Sequence, residues 1–295
     1  MFPSFLPSTV GQLTESTSIT LAENIQSQAI ATPLTNQAIT TTYVQQGTGG
    51  TPILLIHGFD SSVLEFRRLL PLLARENETW AVDLLGFGFT ERIPGTPFSP
   101  LAIKTHLYHF WKTLINQPVI VVGASMGGAA AIDFTLTYPE VVEKLVLIDS
   151  AGVKGGSPLT KFMFPPLDAF AANFLRNPQV RDRISRAAYK NKLLASLDAQ
   201  CCAASHLEMP YWSQSIITFT KSGGYTAFKL PQLSAIVAPT LILWGDTDQI
   251  LGTVDAKKFQ QAIPQSQLIW ITDSGHVPHL EQPEITAQHI LQFRD

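Results

Sequence analysis

Cysteine is nearly absent: the 295-residue chain has two, Cys201 and Cys202, side by side. Adjacent cysteines have poor disulfide geometry and no metal-site spacing, which excludes a disulfide-stapled scaffold and points to buried thiols in a reducing compartment. Charge is sparse as well. Charged residues make up 15% of the chain, the formal net charge is −3, and no Lys/Arg-rich run occurs, so no basic field would draw nucleic acid. Long apolar runs are missing too. None reaches the roughly 18 residues that would read as a transmembrane helix, and the N-terminal MFPSFLPSTV has no basic residues ahead of an apolar stretch, as a secretory signal would. These absences lead us to expect an intracellular protein, cytoplasmic or in peripheral contact with a membrane, with no nucleic-acid partner.

What is present is a composition 45% hydrophobic, enough to bury the core of one large domain or of a domain with an insertion. Short apolar, β-branched runs recur at 52–57, 79–83, 118–123, 143–149, 238–245 and 267–273. Their near-continuous apolar character suits strands covered on both faces. Between them, 62–75, 100–116, 127–138, 253–263 and 283–294 have helical spacing. Strand and helix in alternation predict an α/β fold with a mostly parallel central sheet and helices on both faces. Residues 37–47 read as an antiparallel strand leading in. From 151 to 226 the alternation stops, and proline-broken, aromatic-rich helical segments predict an inserted helical cap. The core is then 31–150 and 227–295, and the polar residues 1–30 are an N-terminal extension, frayed or forming a short helix.

The stretch VIVVGASMGGAAAI, residues 119–132, puts Ser125 in a G-x-S-x-G turn between a buried strand and an alanine-rich helix. A chance match in a chain this long has a probability of about one in ten. The context is more specific. A nucleophile elbow needs a strand before the serine, a helix after it and small flanking residues that let a strained backbone pass close to its neighbours. A dinucleotide-binding turn would need G-x-G-x-x-G, which is absent.

A serine needs a base within hydrogen-bond reach, and the base an orienting carboxylate. His276, directly after the last strand in DSGHVPHLEQPE, is the expected base; His279 is the rival, read as a packing or supporting residue. In LWGDTDQI, Asp248 lies further into the loop than Asp246 and is the expected orienter, with Asp149 an alternative from the adjacent strand. Oxyanion donors are expected from the backbone N–H groups of Met126 and Phe59. His57 is read as a structural residue stabilising the Gly58 turn. No cofactor or metal is called for. A serine at this position argues against epoxide hydrolase and haloalkane dehalogenase chemistry, which use a carboxylate nucleophile.

Together, HGFD, GASMGG, LWGDTDQI and DSGHVPHLEQPE resemble the α/β-hydrolase superfamily from about residue 40 onward. A narrower resemblance lies in HGFDSSVLEFRRLLPLL, ETWAVDLLGFGF, YPEVVEKLVLIDS, EMPYW and KSGGYTAF, which look like chlorophyll dephytylase of plants and cyanobacteria. The resemblance implies a serine esterase that cleaves the phytol ester of chlorophyll, with peripheral contact to a thylakoid-type membrane. Expected substrate contacts are Phe59, Met126 and Trp212, within a wider aromatic set that includes Phe162, Phe164, Phe170 and Phe174. Residues 162–175, or Phe2, Phe5 and Leu6, are candidates for the bilayer contact. Two alternatives stay open: a general carboxylesterase, lipase-like or C–C bond hydrolase with the same triad, and a non-catalytic pigment or lipid carrier.

Overall fold

A computed structural model describes residues 1–153 and 167–294. Eight strands form one sheet: β1 (Gln26–Ile30), β2 (Ile39–Gln46), β3 (Ile53–Ile56), β4 (Thr79–Val82), β5 (Val119–Ala124), β6 (Val142–Ile148), β7 (Thr240–Gly245) and β8 (Ser266–Ile271), in the spatial order β1-β2-β4-β3-β5-β6-β7-β8. β2 runs antiparallel to both β1 and β4; every other pairing is parallel.

The continuous apolar runs follow from this placement. In β3, Leu54 and Ile56 feed one hydrophobic core while Ile53 and Leu55 feed the other, and β5 and β6 divide in the same alternating way. Both faces are therefore covered. Helices Pro100–Leu114, Met126–Thr137, Val254–Ala262 and Pro283–Arg294 lie near the predicted positions. The helix expected at 62–75 is instead a 3-10 turn, Val63–Phe66, followed by a short helix, Leu70–Leu73. Pro71 falls in the first turn of that second piece, where its missing N–H removes no helical bond.

Of the two readings of residues 1–30, the short helix is found (Ser16–Glu23) and fraying is not; a 3-10 turn and the sheet-edge strand β1 are expected by neither. Leu6, Val10, Leu13, Leu21, Ala22 and Ile25 are buried in one of the two cores. The Asp198 carboxylate accepts from Thr14 N, Glu15 N and Ser18 Oγ at 2.6, 2.8 and 2.5 Å, tying this segment to helix Leu197–Ala204. Of the proposed bilayer-contacting trio, Leu6 is therefore core, Phe2 is half-buried and only Phe5 is exposed.

Between β6 and β7 the described residues hold helices Leu167–Arg176, Pro178–Ala188, Leu197–Ala204, Trp212–Lys221 and the short Leu230–Leu233, and no strand. Phe162, Phe164 and the side chain of Phe170 lie outside the described residues. No helix among the described residues is long and apolar enough to cross a membrane.

The chain moves outward from β3 in both directions, to β4 on one side and β5 on the other. A crevice at the carboxyl ends of strands is expected at such a reversal of strand order. The loops after β3 and β5, carrying Phe59 and Ser125, meet there.

Candidate active site

Ser125 sits at φ 52° and ψ −120°, between β5 and helix Met126–Thr137. Such a backbone costs on the order of 1–3 kcal/mol and persists only where the surroundings impose it. Its N–H donates to Ile148 O at 3.0 Å, and its carbonyl accepts from Gly128 N and Ala151 N at 3.0 and 2.9 Å. The flanking glycines are steric requirements. A Cβ at Gly123 would stand 2.3 Å from Gly127 O, and one at Gly127 would stand 2.1 Å from Ile56 O.

His276 arrives from the loop after β8, its Nε2 3.0 Å from Ser125 Oγ and its Nδ1 3.0 Å from Asp248 Oδ2. Asp248 arrives from the loop after β7; its Oδ1 accepts from Ile250 N and Leu251 N at 2.7 and 3.1 Å. With Asp248 as acceptor, the network assigns the imidazole proton to Nδ1 and leaves the Nε2 lone pair facing the serine hydroxyl. Burial works to raise the Asp248 carboxyl, but the His276 hydrogen bond and charge and the two backbone N–H groups outweigh it and hold it below its ordinary value. The sequence-predicted serine, histidine and aspartate are thus joined in one hydrogen-bonded line.

The rival residues have other work. Asp246 accepts from Asp273 N and Ser274 N at 3.2 and 3.3 Å, closing the turn between two loops. Asp149, fully buried, accepts from Gly245 N at 3.1 Å and lies with Asp248 and His276 in a group whose polar atoms are within 4.8 Å. Burial, and then the Asp248 charge, push its carboxyl well above the ordinary range. His279 packs on Phe66 with ring centroids 5.7 Å apart and places Nε2 3.3 Å from Glu65 Oε1. His57 Nε2 accepts from Leu84 N at 3.1 Å, so its Nδ1 carries the proton that reaches Gly58 O at 2.8 Å.

The loop after β3 lies against the serine: a Cβ at Gly58 would stand 3.3 Å from Ser125 Cβ. Gly58 N donates to Glu65 Oε2 at 2.9 Å. The N–H groups of Phe59 and Met126 donate to no acceptor among the described residues, and Met126 opens the helix whose positive dipole end faces this region.

Three supporting residues went unread in the sequence. Glu65 pins Gly58; burial works to raise its carboxyl, but the facing His279 and Ser61 side chains outweigh it and hold it at about 2. Glu281 accepts from Gly275 N, Lys190 N and Asn191 N at 2.6, 3.0 and 2.8 Å, fixing the loop before His276. Asp60 joins the β3 loop to the segment between β6 and β7, through Arg181, His206 and Trp212. Helix spacing in VLEFRR hints at Glu65; nothing local marks the other two.

A cavity of about 320 Å³ opens beside Ser125 and His276, walled by Phe59, Leu175, Ile184, Ala188, Ile250 and Val277. Met126 and Trp212 do not line it, so of the three expected substrate contacts the structure brings only Phe59 to the cavity. Trp212 is 2% exposed and spends its indole N–H on Asp60, while the Met126 side chain is buried in the core. Cys202 also lines the cavity, but burial pushes its thiol up to about 11 and leaves it protonated.

A model of the alpha/beta hydrolase fold matches residues 51–283. The alpha/beta hydrolase domain-containing protein VTE7 of Arabidopsis thaliana is 31% identical, covering 99% of this chain and 90% of its own. Lipase 1 of Psychrobacter immobilis is 28% identical, covering 85% and 80%. A thermophilic esterase of Thermogutta terrifontis superposes with a TM-score of 0.77 at 25% identity, over 91% of this chain and 97% of its own. A meta-cleavage product hydrolase of Pseudomonas fluorescens, at 20% identity, 90% and 96% coverage and a TM-score of 0.75, shares the fold. Strand order, the turn at Ser125 and the family match over most of the chain converge: the chain belongs to the alpha/beta-hydrolase fold family, as a hydrolase with esterase and lipase relatives.

Proposed function

We propose that the protein is a serine esterase that cleaves the phytol ester of chlorophyll or a related phytyl ester. The observation that carries the reading is the line Ser125–His276–Asp248, with both links at 3.0 Å, at the edge of a cavity whose wall is mostly apolar, with Asp60, Arg67, Arg181 and Gln200 among its polar lining. His276 Nε2 takes the hydroxyl proton as Ser125 Oγ attacks the ester carbonyl. The N–H groups of Phe59 and Met126 hold the oxyanion. Collapse breaks the ester bond, phytol leaves with the proton from His276, and the acyl group stays on Ser125. Water, giving a proton to His276, then releases the carboxylic acid, and that proton returns to Ser125 Oγ.

Cavity size shapes the substrate reading. At about 320 Å³ the cavity lies near the lower end of ligand pockets, which span about 300–1,000 Å³. It suits the ester and part of an alkyl chain, with a tetrapyrrole ring held at the mouth. Moving phytol from lipid into an apolar pocket gains almost nothing, since both surroundings are apolar. Capture then depends on proximity to the bilayer and on contacts to the ring.

The test is chlorophyllide release, scored by HPLC, from chlorophyll a in detergent and in liposomes, by the wild type and by Ser125→Ala. Chlorophyllide from the wild type alone is the expected result, and product from liposomes would support peripheral membrane contact. Absence of chlorophyllide from a preparation that still cleaves p-nitrophenyl esters would replace the phytyl ester with a smaller one, the second reading that the cavity volume favours.

A further inference from the structure

Asp60 is one residue beyond Phe59, and its backbone is left-handed, at φ 49°. A non-glycine residue there is strained, and the conformation persists only where the surroundings impose it. The next residue, Ser61, accepts from Gly88 N at 3.0 Å, but the Asp60 side chain is held from the segment between β6 and β7. Asp60 Oδ1 accepts from His206 Nε2 at 2.9 Å and Trp212 Nε1 at 2.8 Å; Oδ2 accepts from Arg181 Nη1 at 2.7 Å. Arg181 Nη2 also donates to the carbonyls of Asp60 and Ala203, and Nη1 to that of Leu175. The cluster is largely buried: His206 is 0% exposed, Trp212 2% and Asp60 8%, while the Arg181 side chain, at 16%, reaches the cavity wall with Asp60. Burial works to raise the Asp60 carboxyl, but His206 and Arg181 outweigh it and hold it ionised, at about 2. Buried charge-assisted hydrogen bonds are the stronger kind, and leaving one such charge unpaired is strongly destabilising.

The other side of the loop is pinned by Glu65 at Gly58 N. Phe59 therefore lies between one anchor in the core and one whose donors all belong to the inserted segment. From this juxtaposition we propose that Asp60 is a positioning residue that makes the oxyanion donor at Phe59 depend on the seating of the inserted helices, with Arg181 and Trp212 acting through it. The proposal rests on the serine-esterase reading of the previous section. It assigns the inserted segment a part in transition-state stabilisation in addition to any part in substrate contact. A displacement of about 1 Å in a catalytic group can cost 10²-fold in rate.

The experiment compares Asp60→Asn, Trp212→Phe and Ser125→Ala with the wild type, using p-nitrophenyl butyrate and a trifluoromethyl ketone that forms a tetrahedral adduct with the serine. Trp212→Phe keeps an aromatic ring and removes one N–H, so it serves where Asp60→Asn removes the charge facing Arg181 and fails to fold. The expected result is a fall in kcat of about 10- to 100-fold in either variant. KM stays within about threefold, and ketone affinity falls in parallel with kcat/KM, the mark of a loss confined to the transition state. Variants with lowered melting temperature but kcat within about twofold of wild type would overturn the inference and reduce the cluster to a clamp. Full turnover by Ser125→Ala would overturn the esterase reading, and the inference with it.

Discussion

Asp149 illustrates how one buried side chain serves another. It accepts the Gly245 N–H, stands beside Asp248, and has a carboxyl that burial pushes upward. That shift favours the protonated form, which can donate to Asp248 and so steady the carboxylate beside His276. Asp149→Asn reproduces both hydrogen bonds, so kcat should stay within about threefold; Asp149→Ala should lower it about tenfold, near the cost of one lost buried hydrogen bond. Steady-state kinetics on a p-nitrophenyl ester decides, and equal losses in the two variants would mean that Asp149 is ionised. At this scale the sequence was informative wherever a role follows from position along a strand. His276 lies just beyond β8 and Asp248 just beyond β7, so both could be located from strand ends alone. Asp60 could not, because its partners lie 121, 146 and 152 residues away and nothing in HGFD encodes them.

Among the elements, β5 and the helix after it were legible because every residue of β5 is buried and the turn between them needs glycine. β1 was not: four of the five residues of QSQAI are exposed, so an edge strand carries no hydrophobic alternation to read. The segment before it hid its core residues among serines and threonines without a helical period. Leu21, 2% exposed, packs into the same core as Val63 and Phe66. Leu21→Ala should therefore destabilise the protein by about 2–4 kcal/mol, a core-cavity cost and not a surface one. Urea denaturation measures it, and a change below about 0.5 kcal/mol, as surface substitutions give, would return this segment to the status of an appendage.

For the whole molecule, the buried titratable groups set an acid limit. His106 is 1% exposed, with Nε2 2.7 Å from Thr41 Oγ1; burial, and then the neighbouring His109, push it down to about 3. The unfolded chain takes up that proton near pH 6.5, so the stability His106 contributes is complete above pH 6.5 and is lost as pH falls toward 3. Asp60 and Glu65, each held at about 2 in the fold, add a second loss as pH falls from about 4 to 2, on the order of 2 kcal/mol per group. Urea midpoints should decline across both windows, and His106→Gln should flatten the first. A wild-type midpoint constant from pH 7 to 4 would contradict the His106 assignment.

The sheet also has a consequence for biosynthesis. β6 and β7 are neighbours, yet residues 149–239 separate them in the chain, and His276 follows later still. Non-local pairing of this kind is slow because the intervening loop must close before the contacts form. On a ribosome, Ser125 emerges with its strand and helix well before Asp248 and His276 have been translated. On the proposed reading, the nascent chain therefore carries its candidate nucleophile without its candidate base, and gains hydrolytic competence only after the loops beyond β7 and β8 have followed.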